Sequence, residues 1–171
     1  MKTVLVIELQ NLDEQMEYSI FDITKRVRES GVIPIPANAK DIDSIKKISE
    51  KKLPESYIQF LEQMGSGTQN GFLVGHSCFV NELPYLKKWA RELLNENNFE
   101  SILTDNDFVF WMSQGYQFAF FKLDEGENPP VYYYREGTNQ SDFVKITENF
   151  TEFLHRMETR DKYLFHIEKA L

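Results

Sequence analysis

The stretch from residue 107 to 123, DFVFWMSQGYQFAFFKL, constrains this chain more than any other. Residues 107–112 set Phe108, Phe110 and Met112 against Val109 and Trp111, and residues 116–123 set Tyr116, Phe118 and Phe120 against Ala119, Phe121 and Leu123. Successive side chains of a strand point to opposite faces, so these runs predict two neighbouring strands in a hairpin that turns around residues 113–115. Both faces are apolar and neither can stay wet. One must carry helices, and the other must be covered by loops or used for contact. A third strand is expected at 131–135, beyond the acidic, Gly- and Pro-bearing loop 123–130, and a fourth at 143–146 after a turn at 137–141.

Elsewhere the apolar residues recur at helical spacing. Met16, Ile20, Ile23 and Val27 precede Ser30, Gly31 and two prolines, and residues 4–9 read as a strand. Asn38 is the expected cap of a helix from about Asp41 to Lys51 or Lys52, with Ile42, Ile45 and Ile48 inward. Pro54 suits the first turn of a helix that buries Tyr57, Phe60, Leu61 and Met64 and stops at Gly65. Residues 65–71, GSGTQNG, read as a turn, followed by short extended pieces at 72–74 and 78–80. A helix at 84–97 carries the stripe Leu86, Trp89, Ala90 and Leu93. Asn149 with Glu152 opens another, with Phe150, Phe153, Leu154 and Met157 inward, and residues 161–171 are expected to extend it.

The 171 residues carry 27 acids and 19 bases, a formal charge of −8. This argues against direct nucleic-acid or anionic-membrane binding, since both need positive charge. The excess is local: residues 92–161 hold 14 acids and 5 bases, a balance of −9. Acidic loops around aromatics suit a basic partner; the alternative is a solvated acidic surface over an ordinary core. Cys78 is the single cysteine, which excludes an intramolecular disulfide and fits a reducing compartment. Glu8 interrupts the apolar start too early for a secretory signal, and no apolar run approaches a membrane span, so a cytoplasmic protein is expected.

Motifs for chemistry are weak. GSGTQNG follows a helix and lacks the lysine of a phosphate loop, so it reads as a helix stop. Asp105 and Asp107 could place two carboxylates near one ligand, but residues 104–107 are also ordinary turn chemistry. His76 and Cys78 offer two metal ligands without a second pair beside His155 or His166. Ser66, flanked by Gly65 and Gly67, does not meet the pattern of a hydrolase nucleophile. With no recognisable catalytic centre, no enzyme, metal or cofactor is expected; the alternative is carboxylates that converge in space, such as Glu125 and Glu127 with others, or a metal-assisted hydrolase acting around Asp105 and Asp107.

The order of features nevertheless resembles the SUKH superfamily, which includes fungal regulators of cell-wall glucan synthesis and many bacterial toxin-immunity proteins. The resemblance runs over about residues 38–157. It rests on Leu53-Pro54 with Tyr57 and Phe60, Gly115-Tyr116 with Phe118 and Phe120, Pro130-Val131 with Tyr134, and Phe150 with Phe153-Leu154. It implies an α+β domain at 37–171 with a central, largely antiparallel sheet partly wrapped by helices. Residues 1–36 are then an N-terminal extension packed on that domain. It further implies a non-enzymatic protein that binds and blocks a cognate secreted toxin, a nuclease or nucleic-acid deaminase; the alternative is a cytoplasmic scaffold or regulator of an endogenous partner. A basic toxin domain would meet the acidic half, and the expected contact residues are Asp105, Asp107, Trp111, Gln114, Asp124, Glu125, Glu127, Tyr132, Tyr134 and Glu136. For Trp111, Tyr132 and Tyr134 the competing expectation is core packing.

Overall fold

The computed structural model describes residues 18–167, so the expected strand at 4–9 and Met16 lie outside the described residues. The fold is α+β, with one five-stranded and one two-stranded sheet, both antiparallel. Helix α1 (Ile20–Glu29) begins where the Ser19 hydroxyl accepts a hydrogen bond from the Asp22 amide at 3.1 Å, and it buries Ile20, Ile23 and Val27 against the rest of the core. After strand β1 (Ile33–Ile35), helix α2 (Ala39–Ile48) is capped by Asn38, whose Oδ1 accepts from the Asp41 amide at 2.9 Å. It starts and ends earlier than the spacing suggests. Ser49 is already extended, and Ile48 faces water at 48% exposure instead of entering the core.

Helix α3 (Glu55–Met64) buries Tyr57, Phe60, Leu61 and Met64 as expected, with Pro54 at the cap and not inside the first turn. Gly65 stops it through close approach, since a Cβ there would lie 2.6 Å from the Leu61 carbonyl oxygen and 2.9 Å from Ala37 Cβ. The glycine-rich segment is then more than a turn. Residues Gly67–Gln69 form strand β2, paired with β1 so that Ile35 faces Gly67, and the reversal comes at Asn70 and Gly71, both with positive φ. Strand β3 (His76–Ser77) replaces the expected extended pieces at 72–74 and 78–80, and helix α4 (Leu83–Glu96) follows.

The main sheet has the order β3, β4 (Asp107–Ser113), β5 (Gln117–Lys122), β6 (Val131–Arg135), β7 (Val144–Thr147). The β4–β5 register shifts between Val109 and Trp111, a bulge that puts two β4 residues opposite one on β5. Simple alternation therefore fails at this point. Phe110 and Trp111 both reach one face, where Phe110 meets Phe121, Phe150 and Phe153 and Trp111 meets Phe153 and Phe165. Tyr57 of α3 lies edge-on to Phe108, Phe121 and Phe150 on the same side.

On the opposite face Phe118 and Phe120 pack with Tyr134, Tyr132 and Phe143, Phe99 packs on Tyr134, and α4 lies against β4. Both apolar faces are thus covered within the chain. Helix α5 (Phe150–Glu158) is capped by Asn149, whose Oδ1 accepts from the Glu152 amide at 2.7 Å. The expected helical extension beyond it does not form. Arg160 takes φ 54°, the chain turns, and Leu164 and Phe165 fold back onto the core. Arg156 of α5 donates from Nη1 to the Ile146 carbonyl of β7 at 3.1 Å.

Candidate protein-binding surface

The acidic residues singled out by sequence divide between two ends of the sheet. Asp105, Asp124, Glu125, Glu127 and Tyr132 lie where β4 begins and β5 ends, since Asp107 is the register partner of Lys122. Gln114 sits in the β4–β5 turn and Glu136 follows β6, both at the other end, because Ser113, Gln117 and Arg135 are in register. At ~3.3 Å per residue the six-residue β5 separates these groups by roughly 20 Å, so they do not make one compact site.

Three expected contact residues are buried. Trp111 is 1% exposed and Tyr134 3% exposed, which is the core-packing alternative. Asp107 is also buried, and its Oδ2 accepts from the Thr104 amide at 2.7 Å and the Thr104 hydroxyl at 2.8 Å, tying off the turn that starts β4. Tyr132 is half-buried, and its hydroxyl donates to the Glu125 carboxylate at 3.0 Å. Burial and then Glu125 push that phenol up to about 12.

Much of the surface charge at this end is engaged within the chain. The Glu127 carboxylate takes the Lys52 ammonium at 2.6 Å and the Glu55 amide at 2.8 Å, capping α3, and both hold it below the usual carboxylate range. Asp124 is held low chiefly by the amide of Asn106, at 2.5 Å, with Lys51 4.0 Å away. Asp105 faces Lys87 and Arg91 at 3.9 and 3.8 Å. It does not pair with Asp107, whose carboxylate serves Thr104, and Glu125 and Glu127 are likewise turned to different partners. Among the described residues, no three His, Cys, Asp or Glu side chains are grouped to hold a metal ion. Cys78 is buried, and burial pushes its thiol up, away from the reactive thiolate.

A second surface was misread from sequence. Trp89, expected in the buried stripe of α4, is 38% exposed and stacks on Tyr85, which is 53% exposed, with ring centroids 5.6 Å apart. The core side of α4 is filled by Leu86, Ala90, Leu93 and Leu94. Its spacing of i, i+4, i+7 and i+8 already completes a helical face, and that was the signal that Trp89 is surplus to the core.

A sequence profile of the SMI1 / KNR4 family (SUKH-1) matches residues 36–156. The chain belongs to the SUKH-1 family. It is also similar to the Immunity protein YxxD of Bacillus subtilis (strain 168), at 25% identity over 136 residues that span 75% of this chain and 84% of that protein. In this SUKH-1 chain α1 precedes the matched region, yet its buried face packs on α3 and α5. Among the described residues no helix is long and apolar enough to cross a membrane.

Proposed function

We propose that this SUKH-1 chain is a non-enzymatic, cytoplasmic immunity protein that neutralises a cognate toxin domain by direct binding. The observation that carries the reading is its likeness to the Immunity protein YxxD over 84% of that protein's length. The balance of −9 in residues 92–161 supports a basic partner, as expected of a toxin of the nuclease or nucleic-acid deaminase class that must attract phosphates. The exposed acids Asp105, Asp124 and Glu127, with half-buried Glu125 beside them, then form a negative rim at one end of the sheet that steers encounter, a role compatible with their internal pairing, and exposed Glu136 adds to the field from the other end.

Co-expression with the toxin domain encoded by the adjacent gene tests the reading. Protection of the cells and recovery of a one-to-one complex are expected; unprotected cells and separate elution of the two proteins overturn it. Recovery of a housekeeping protein in place of a toxin supports the alternative, a regulator of an endogenous partner.

A further inference from the structure

The acidic rim supplies steering but no anchor, because its aromatic members are turned inward. Exposed aromatics lie elsewhere, and two of them, Tyr85 and Trp89, stack beside a recess. A groove of about 490 Å³ runs between α4 and the β4–β5 turn, lined by Gly75, Ser77, Trp89, Glu92, Glu96 and Gln114 among others. Trp89 forms one wall and is continued along the helix by Tyr85. The charge around it is one-sided. Glu96 has no hydrogen bond or ion pair among the described residues, and Glu92 meets only Lys88, at 3.8 Å with both side chains more than half exposed. The other bases of α4, Lys87 and Arg91, turn toward Asp105, and Arg91 also donates to the Leu103 carbonyl at 3.0 Å.

We propose that this groove receives an arginine-bearing segment of the protein partner, with a guanidinium lying on the Trp89 ring and paired to Glu92 and Glu96. A guanidinium matches both halves of the site at once, since its flat face is attracted by the indole and its N–H edge by carboxylates. Exposed tryptophan beside a recess is also the residue type that concentrates binding energy at protein interfaces. Gln114, at the lip of the groove, is the expected contact residue that this surface retains. The inference rests on the immunity-protein reading for the identity of the partner, while the groove's preference for arginine stands on the geometry.

Two measurements separate them. In the first, the isotope-labelled full chain is titrated with a blocked peptide of alternating arginine and glycine while backbone and indole NMR signals are followed. Saturable shifts are expected at Trp89, Glu92, Glu96 and Gln114; no shifts, or shifts confined to Asp105 and Asp124, overturn the proposal. In the second, the adjacent-gene toxin domain is bound to wild type, to Trp89→Ala and to a Glu92→Gln, Glu96→Gln double variant, each checked by circular dichroism for an unchanged fold. About tenfold or greater weakening is expected for both, carried mainly by faster dissociation. Undiminished affinity overturns the groove and leaves the function standing, whereas a groove that binds the peptide beside a wild type that ignores the toxin domain overturns the function alone. Sedimentation supplies the remaining outcome: a dimer that Trp89→Ala converts to monomer shows a second copy as the occupant and overturns the proposal.

Discussion

Trp111 lies flat on Phe165, with ring centroids 5.0 Å apart and 14° between the planes. Trp111 belongs to the sheet and Phe165 to the turn after α5, so the stack fastens the end of the described chain over the bulge in β4. Phe165 also contacts Tyr133 and Phe153, and it seals one edge of the aromatic core.

Phe165→Ala is expected to lower unfolding free energy by about 2 kcal/mol, below the usual core value because Phe165 is only half-buried. Urea unfolding measures the loss. In a Trp89→Phe background, where Trp111 is the remaining tryptophan, its emission should also shift to longer wavelength as water reaches the ring.

Asp107→Ala removes the single oxygen that accepts from both the Thr104 amide and the Thr104 hydroxyl, and stability should fall by about 1–3 kcal/mol. The same change should leave association with the proposed toxin partner at its wild-type rate, because the carboxylate is buried and locally satisfied. Asp105→Asn should do the reverse, keeping stability within about 0.5 kcal/mol and slowing association at low salt. Unfolding curves and stopped-flow association tell the two acids apart.

At Gly65 the close approach of α3 to Ala37 leaves no room for a methyl group. Gly65→Ala should cost about 1–3 kcal/mol, as overpacking does elsewhere, while Gly126→Ala, at a glycine with open space around it, should cost less and act only through its positive φ. Thermal melts of the two variants give the comparison.

Acid should weaken the fold through two histidines. Burial lowers the affinity of His76 for a proton, and burial followed by the Arg26 guanidinium does the same at His155, where Arg26 Nη2 lies 3.0 Å from Nδ1. The unfolded chain then binds protons more readily than the native one. Stability is full above about pH 6.5 and declines as pH falls through the lower native values. Urea midpoints measured between pH 7 and 5 should drop, and His76→Gln and His155→Gln should each flatten the slope.

The helices were legible because their buried stripes and caps are local. Asn38, Asn149 and the series Tyr57, Phe60, Leu61, Met64 need no knowledge of the tertiary structure. Strand β2 was not, since Gly67, Thr68 and Gln69 bear no apolar alternation and become a strand only by pairing with Ile33–Ile35. The bulge at Phe110 was equally hidden, because an extra residue in one strand depends on how its neighbour is registered. At the candidate surface the sign of the charge could be read directly, but not its internal pairing: Glu127 with Lys52 is 75 positions distant in sequence. Trp89 was misplaced because the stripe Leu86, Trp89, Ala90, Leu93 leaves out Leu94, whose place eight residues after Leu86 completes the core face without the indole.

The hold of Arg156 on the Ile146 carbonyl gives the outermost strand a consequence beyond folding. A free backbone acceptor on a sheet margin invites a neighbouring chain to add itself as the next strand. Here the marginal strand is four residues long, carries Lys145, and has the carbonyl of Ile146, the residue left without a partner by the β6–β7 register shift, occupied by a guanidinium. An inhibitor consumed mole for mole, as proposed for this chain, would be stockpiled before its target arrives, and a blunted margin would let such a stockpile build without seeding filaments.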